Sequence, residues 1–80
     1  MLRTIYYMND RQFERGDTVY IRDYPMGKPL MIYGKIVGFV GQENYNVKMQ
    51  NGLQEGTIVL YNVLRLIAEK DAKWYLTQEK

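Results

Sequence analysis

Residues 45–67 read YNVKMQNGLQEGTIVLYNVLRLI, and the alternation within this stretch decides the architecture. Tyr45, Val47 and Met49 fall on one side of an extended chain while Asn46, Lys48 and Gln50 fall on the other, the period of a half-buried strand. Asn51-Gly52 ends that strand, because the pair readily takes the positive φ angles of hairpin turns. The further LQEG before Thr57 predicts a longer loop than the minimal two-residue hairpin. TIVLY, residues 57–61, is then a returning strand with Ile58 and Leu60 assigned to the core. LRLIA, residues 64–68, is a last strand with Leu64 and Leu66 facing inward.

Working outward, DTVYIRD (residues 17–23) sets Val19 and Ile21 on one face and Thr18, Tyr20 and Arg22 on the other, and its β-branched residues suit a strand. RQFER, just before it, has Phe13 as its one apolar side chain, which is expected to plug an end of the core. YPMGKP, residues 24–29, holds two prolines and a glycine, so a continuous ladder is forbidden and a long, structured loop is expected. LMIYGKIVGFV, residues 30–40, resumes the extended form, with Gly34 and Gly38 expected at a bulge or sharp bend. Five short strands within about fifty residues suit a small closed barrel better than a flat sheet. The predicted core is Val19, Ile21, Ile36, Val47, Met49, Ile58, Leu60 and Leu64.

The expected division is an N-terminal extension over residues 1–12, a barrel over 13–68 and a short helix or tail over 69–80. RTIYYM, residues 3–8, is apolar and β-prone, which makes residues 2–8 an extra strand, a cap on the barrel or a contact between copies forming a homo-oligomer. Toward the other end, Ala72, Tyr75 and Leu76 recur at helical spacing, and Glu69 stands one turn before Lys73, the pattern of a short amphipathic helix.

Composition narrows the chemistry. The 80 residues contain neither Cys nor His, which excludes disulfides, thiolate chemistry, Cys- or His-based metal sites and the usual general base at neutral pH. Asp17 and Asp23 lack a third ligand and form no convincing metal or acid/base pair. The expectation is a protein that is not an enzyme and needs no cofactor. Eleven Lys and Arg against nine Asp and Glu, interspersed, give a net charge of +2, a weak footprint for nucleic acid. No stretch has the length of a membrane span or the plan of a secretory signal, so a cytoplasmic location and no membrane partner are expected.

RGDTVYI, GKIV, YNVKMQNG and VLRLI, in that order, resemble the elements of SH3-like barrels of the Tudor and KOW kind. Those barrels have a Gly-Asp opening, a Gly-x-Val second strand, a Tyr-x-Val third strand and a final Leu-x-Leu strand. The resemblance covers residues 13–68 and implies a single 3-10 turn between the fourth and fifth strands, assigned to Tyr61-Asn62-Val63. The loop RDYPMGKPL departs from KOW motifs, whose first connection is short. The lone Trp74 lies outside the barrel, away from where a polyproline-gripping Trp belongs. The fold hosts several functions, so function has to be argued from the site.

Two sites are predicted. The first is a protein-binding surface of Tyr20, Tyr24, Met26, Lys28 and Tyr33 around the first loop. Its tyrosines either pack their rings on the core or form a cage for a cationic group, and packing is the preferred reading. The alternative is a nucleic-acid-binding face of Arg22, Lys35, Lys48 and Arg65, set against a plain solvated surface. The leading expectation is a small protein-binding or assembly module, an accessory protein such as a bacterium or bacteriophage uses.

Overall fold

The computed structural model describes residues 11–78. The extra strand, cap or inter-copy contact expected of residues 2–8 lies outside the described residues. Strand β1 is Thr18–Arg22, β2 is Pro29–Val40, β3 is Asn44–Met49, β4 is Ile58–Asn62 and β5 is Leu66–Ala68. A 3-10 turn at Val63–Arg65 links β4 to β5, and helix α1 spans Glu69–Gln78. All pairings are antiparallel, in one five-stranded sheet of order β4-β3-β2-β1-β5. Among the described residues, strands β4 and β5 stand at its two edges and no ladder joins them, so the sheet is not closed.

The sheet bends because β2 is long and shared. Its first part pairs with β1, from Pro29 opposite Arg22 to Lys35 opposite Thr18. Its second part pairs with β3, from Gly34 opposite Met49 to Val40 opposite Asn44. At the overlap the chains approach so closely that a Cβ on Gly34 would lie 2.5 Å from the Lys48 carbonyl oxygen and 2.7 Å from Val47. Only glycine fits there. The expected irregularity near Gly38 is present as a register shift between Ile36 and Gly38, a bulge that sharpens the bend.

The concave face carries the core: Phe13, Val19, Ile21, Ile36, Tyr45, Val47, Met49 and Leu66, with Phe39, Val59 and Tyr61 packed against it. Phe13 and Phe39 each meet the Tyr45 ring edge-on at 5.5 Å, so Phe13 does plug one end. Each such aliphatic burial contributes about 1.5–3 kcal/mol.

Three core assignments need correction. Ile58 and Leu60 are exposed, and Val59 and Tyr61 take their places. Every residue from Ile58 to Tyr61 is apolar, so alternation is silent there. The face is decided by register: Val59 stands opposite Val47 and Tyr61 opposite Tyr45, and paired residues share a face. Leu64 is also exposed, because the 3-10 turn begins at Val63, later than the sequence placed it. Asn62 caps this turn by accepting the Leu64 N–H on Oδ1 at 3.0 Å. The chain thus returns to the core only at Leu66, opposite Ile21.

A second, smaller core lies on the convex face. Ile67 stands opposite Tyr20 and is buried, as is Ala72 on α1, whose chain folds back over β5 and β1. The expected Glu69–Lys73 pair is present, with Lys73 Nζ 3.2 Å from the carboxylate.

Candidate binding surfaces

The connection from β1 to β2, expected as a long loop, is a short ordered hairpin, because β2 already begins at Pro29, opposite Arg22. Its base closes where the Asp23 N–H donates to the Lys28 carbonyl at 2.9 Å, and its tip where the Gly27 N–H donates to the Tyr24 carbonyl at 2.7 Å. Tyr24-Pro25-Met26-Gly27 is therefore a β-turn with proline at its second position, which proline's fixed φ favours. Met26 at the third position has a φ of +70°, a conformation in which a Cβ costs about 1 kcal/mol. A side chain at Gly27 would be crowded by backbone, since its Cβ would sit 3.0 Å from the Tyr24 nitrogen.

Two arginines hold this loop. Arg22 Nη1 donates to the Gly27 carbonyl at 2.9 Å, and Arg65 Nε donates to the Arg22 carbonyl at 3.0 Å. Arg65 also lies 5.8 Å from the centre of the Tyr61 ring. Both guanidinium groups are half-buried and engaged with backbone, whereas sequence reasoning set them on an outward cationic face. The effect is to fix a tip on which Tyr24 is 69% and Met26 76% exposed. Among the described residues the Tyr24 ring touches no other ring. Lys28 is exposed at the loop's far side.

Tyr20 and Tyr33 do come together. They are opposite each other across β1 and β2, with ring centres 5.2 Å apart and planes tilted by 31°. Both are half-buried beside α1. The Lys73 ammonium is held above its ordinary pKa first by the hydrogen bond and charge of Glu69, and then by the Tyr20 and Tyr33 phenols.

The remaining two predicted cations are also neighbours. Lys35 stands directly opposite Lys48 across β2 and β3, flanked by Thr18 and Ile58, with both lysines exposed. Like charges so placed repel each other, and neither has an acidic partner among the described residues. The four cations of the sequence reading thus divide into a pair that braces a loop and a pair that faces solvent.

Sequence reasoning missed a third cationic cluster. Arg11 lies 4.3 Å and Arg15 5.4 Å from the centre of the Phe39 ring, and Arg11 Nη1 donates to the Gly41 carbonyl at 2.7 Å. With Phe13 and Glu14 they line an open cleft of about 350 Å³. The signal was the spacing Arg-x-Phe-x-Arg, read only for its phenylalanine. Asn51 was read only as a turn residue, yet its side chain pairs with β2 like a strand. It accepts the Tyr33 N–H at 3.0 Å and donates to the Met31 carbonyl at 2.9 Å.

Asp17 serves structure, its Oδ2 accepting the Glu14 N–H at 2.9 Å. No group of three or more potential metal ligands occurs among the described residues. No described helix is long and apolar enough to cross a membrane. Comparison of the chain with family models, with curated proteins and with solved structures finds no match.

Proposed function

We propose that this chain is a non-enzymatic protein-binding or assembly module, an accessory protein whose fold is an SH3-like barrel of the Tudor and KOW kind and whose contact surface is the β1–β2 loop with Tyr20 and Tyr33 beside it. The barrel reading draws support from the strand order, the long bent β2 and the 3-10 turn before β5. One observation carries the function: Tyr24 and Met26 stand exposed on a turn that Arg22 and Arg65 hold in place. Ordering a loop before contact lowers the entropy lost on binding, and Tyr and Met are enriched at interface centres. The reading contains no catalytic step, in keeping with a sequence without His or Cys.

Its test is capture of partners from the chain's own host, with and without nuclease, by the wild type and by Tyr24→Ala and Met26→Ser. A partner retained through nuclease and lost with both variants supports the loop. A partner captured equally by all three chains removes the loop from the interface.

The Lys35–Lys48 doublet favours a second reading, a nucleic-acid-binding barrel. Two uncompensated lysines beside a tyrosine pair supply phosphate attraction and a ring for base stacking. In that reading Lys35→Gln and Lys48→Gln each weaken binding to different sequences about equally and flatten its salt dependence. Affinity that does not fall with added salt sinks it.

A further inference from the structure

In β4 the same residues leave both side chain and backbone without partners among the described residues. The Met49 N–H donates to the Thr57 carbonyl at 2.8 Å and the Val63 N–H to the Glu43 carbonyl at 2.7 Å. Between these, Val47 opposes Val59 and Tyr45 opposes Tyr61, so the odd-numbered residues of β4 turn their polar groups toward β3. Ile58 and Leu60 therefore turn theirs to the side away from β3, where β4 is the last strand among the described residues. Their side chains face solvent too, 60% and 53% exposed.

Natural edge strands are blunted by lysine, proline, a bulge or an inward charge. From Ile58 to Asn62 this one has none of them: TIVLYN, residues 57–62, contains no charge and no proline, and the register of β4 with β3 runs without a shift; the bulge in which Gly56 and Thr57 both bond Met49 lies just before it. An uncharged, β-prone run at an open edge favours association.

A row of unpaired N–H and C=O groups accepts only another extended strand. We propose that the occupant is β4 of a second copy, antiparallel across a two-fold axis through Val59. In that register Ile58 of each copy lies opposite Leu60 of the other, in hydrogen-bonded positions, so the four free N–H groups meet the four free carbonyls. The outward side chains then form one continuous apolar stripe, and Val59 meets its own counterpart on the inner side. No charge opposes a like charge along the axis, and a net charge of +2 gives little overall repulsion. The symmetry of the apolar pair is the argument for a second copy over an unrelated strand, since the surface is complementary to itself. The dimer has a continuous ten-stranded sheet and leaves both β1–β2 loops free, so this contact stands or falls apart from the proposed binding function.

Sedimentation equilibrium of the full chain tests it, with twice the 9.5 kDa chain mass expected. Leu60→Pro removes a free-side N–H that β3 does not use, and Leu60→Lys places a charge in the stripe. Both should keep the wild-type circular dichroism and sediment as single chains, while Leu64→Lys, exposed but outside the strand, remains a dimer. If the proline variant fails to fold, the lysine variant decides. A full chain at single mass throughout the concentration range overturns the proposal, as does a folded Leu60→Lys dimer. Dimerisation abolished by starting the chain at Asn9, yet unaffected at Leu60, also overturns it and assigns the contact to residues 2–8.

Discussion

The β1–β2 loop and the β4 edge both expose apolar side chains, and they do so for opposite physical reasons. In the loop the backbone is tied down by the bonds of the Asp23 and Gly27 N–H groups and of the Arg22 and Arg65 side chains, and the exposed groups are the side chains of Tyr24 and Met26. At β4 the backbone of Ile58 and Leu60 is open as well among the described residues. A surface of the first kind can be read by many shapes of partner, through pockets for a few rigid anchors. One of the second kind demands a strand. The difference separates a recognition surface from an assembly surface within one small sheet.

The largest expected effect breaks the frame on which both regions hang. Gly34→Ala drives a methyl group into the Lys48 carbonyl and Val47 and is expected to cost about 3 kcal/mol, measured by urea unfolding. Val47→Ala follows at about 2 kcal/mol. Leu60→Ala, on the opposite face, should stay within about 0.5 kcal/mol when measured on the single-chain species. Equal losses at Val47 and Leu60 would mean that the facing of β4 is wrong.

Next come the loop braces. Arg22→Met removes the donor to Gly27 and should destabilise by about 1–2 kcal/mol, with loss of the slow exchange of the Gly27 amide. Met26→Gly acts the other way. It relieves a left-handed φ and should raise stability by up to about 1 kcal/mol while weakening partner binding, so stability and binding part company at one residue. A variant both more stable and equally tight would take Met26 out of the contact.

The smallest effect is electrostatic. Glu69 and the two phenols raise the Lys73 pKa, so the pair's contribution to α1 is fully present below the unfolded lysine value of about 10.4. It is lost as pH rises through the higher folded value. Thermal unfolding of Lys73→Met, set beside the wild type, should show a constant small difference from neutral pH to about pH 9, closing above about pH 10. A difference that already changes near neutrality would point to another group.

Much of this architecture was legible from particular residues. Val19 and Ile21 alternate with polar neighbours, as do Tyr45, Val47 and Met49, and period-two alternation dictates which face is buried. The helix was visible in Ala72 and in the Glu69–Lys73 spacing. In β4 the signal ran out, because Ile58, Val59, Leu60 and Tyr61 are all apolar and the face is chosen by the loop from Gln50 to Thr57, whose length sets the register. The loop's Tyr24 and Met26 could be named as a surface from the flanking prolines. What could not be read was that Arg22 and Arg65 reach backbone carbonyls, Arg65 from 43 residues away, since side-chain direction across a bend has no local signature. Lys35 and Lys48 were placed on one face by parity alone, but their direct opposition depends on the β2–β3 register.

Residue-resolved amide hydrogen exchange on the full chain, at low and high concentration, tests the contrast between loop and edge most directly. The account predicts slow exchange at Asp23 and Gly27 at both concentrations, because their bonds lie within one chain. Ile58 and Leu60 should exchange fast when dilute and slowly when concentrated, while Val59 and Tyr61 stay protected throughout. Gly27 exchanging at the rate of an unstructured peptide, or Ile58 and Leu60 protected equally at every concentration, would contradict it.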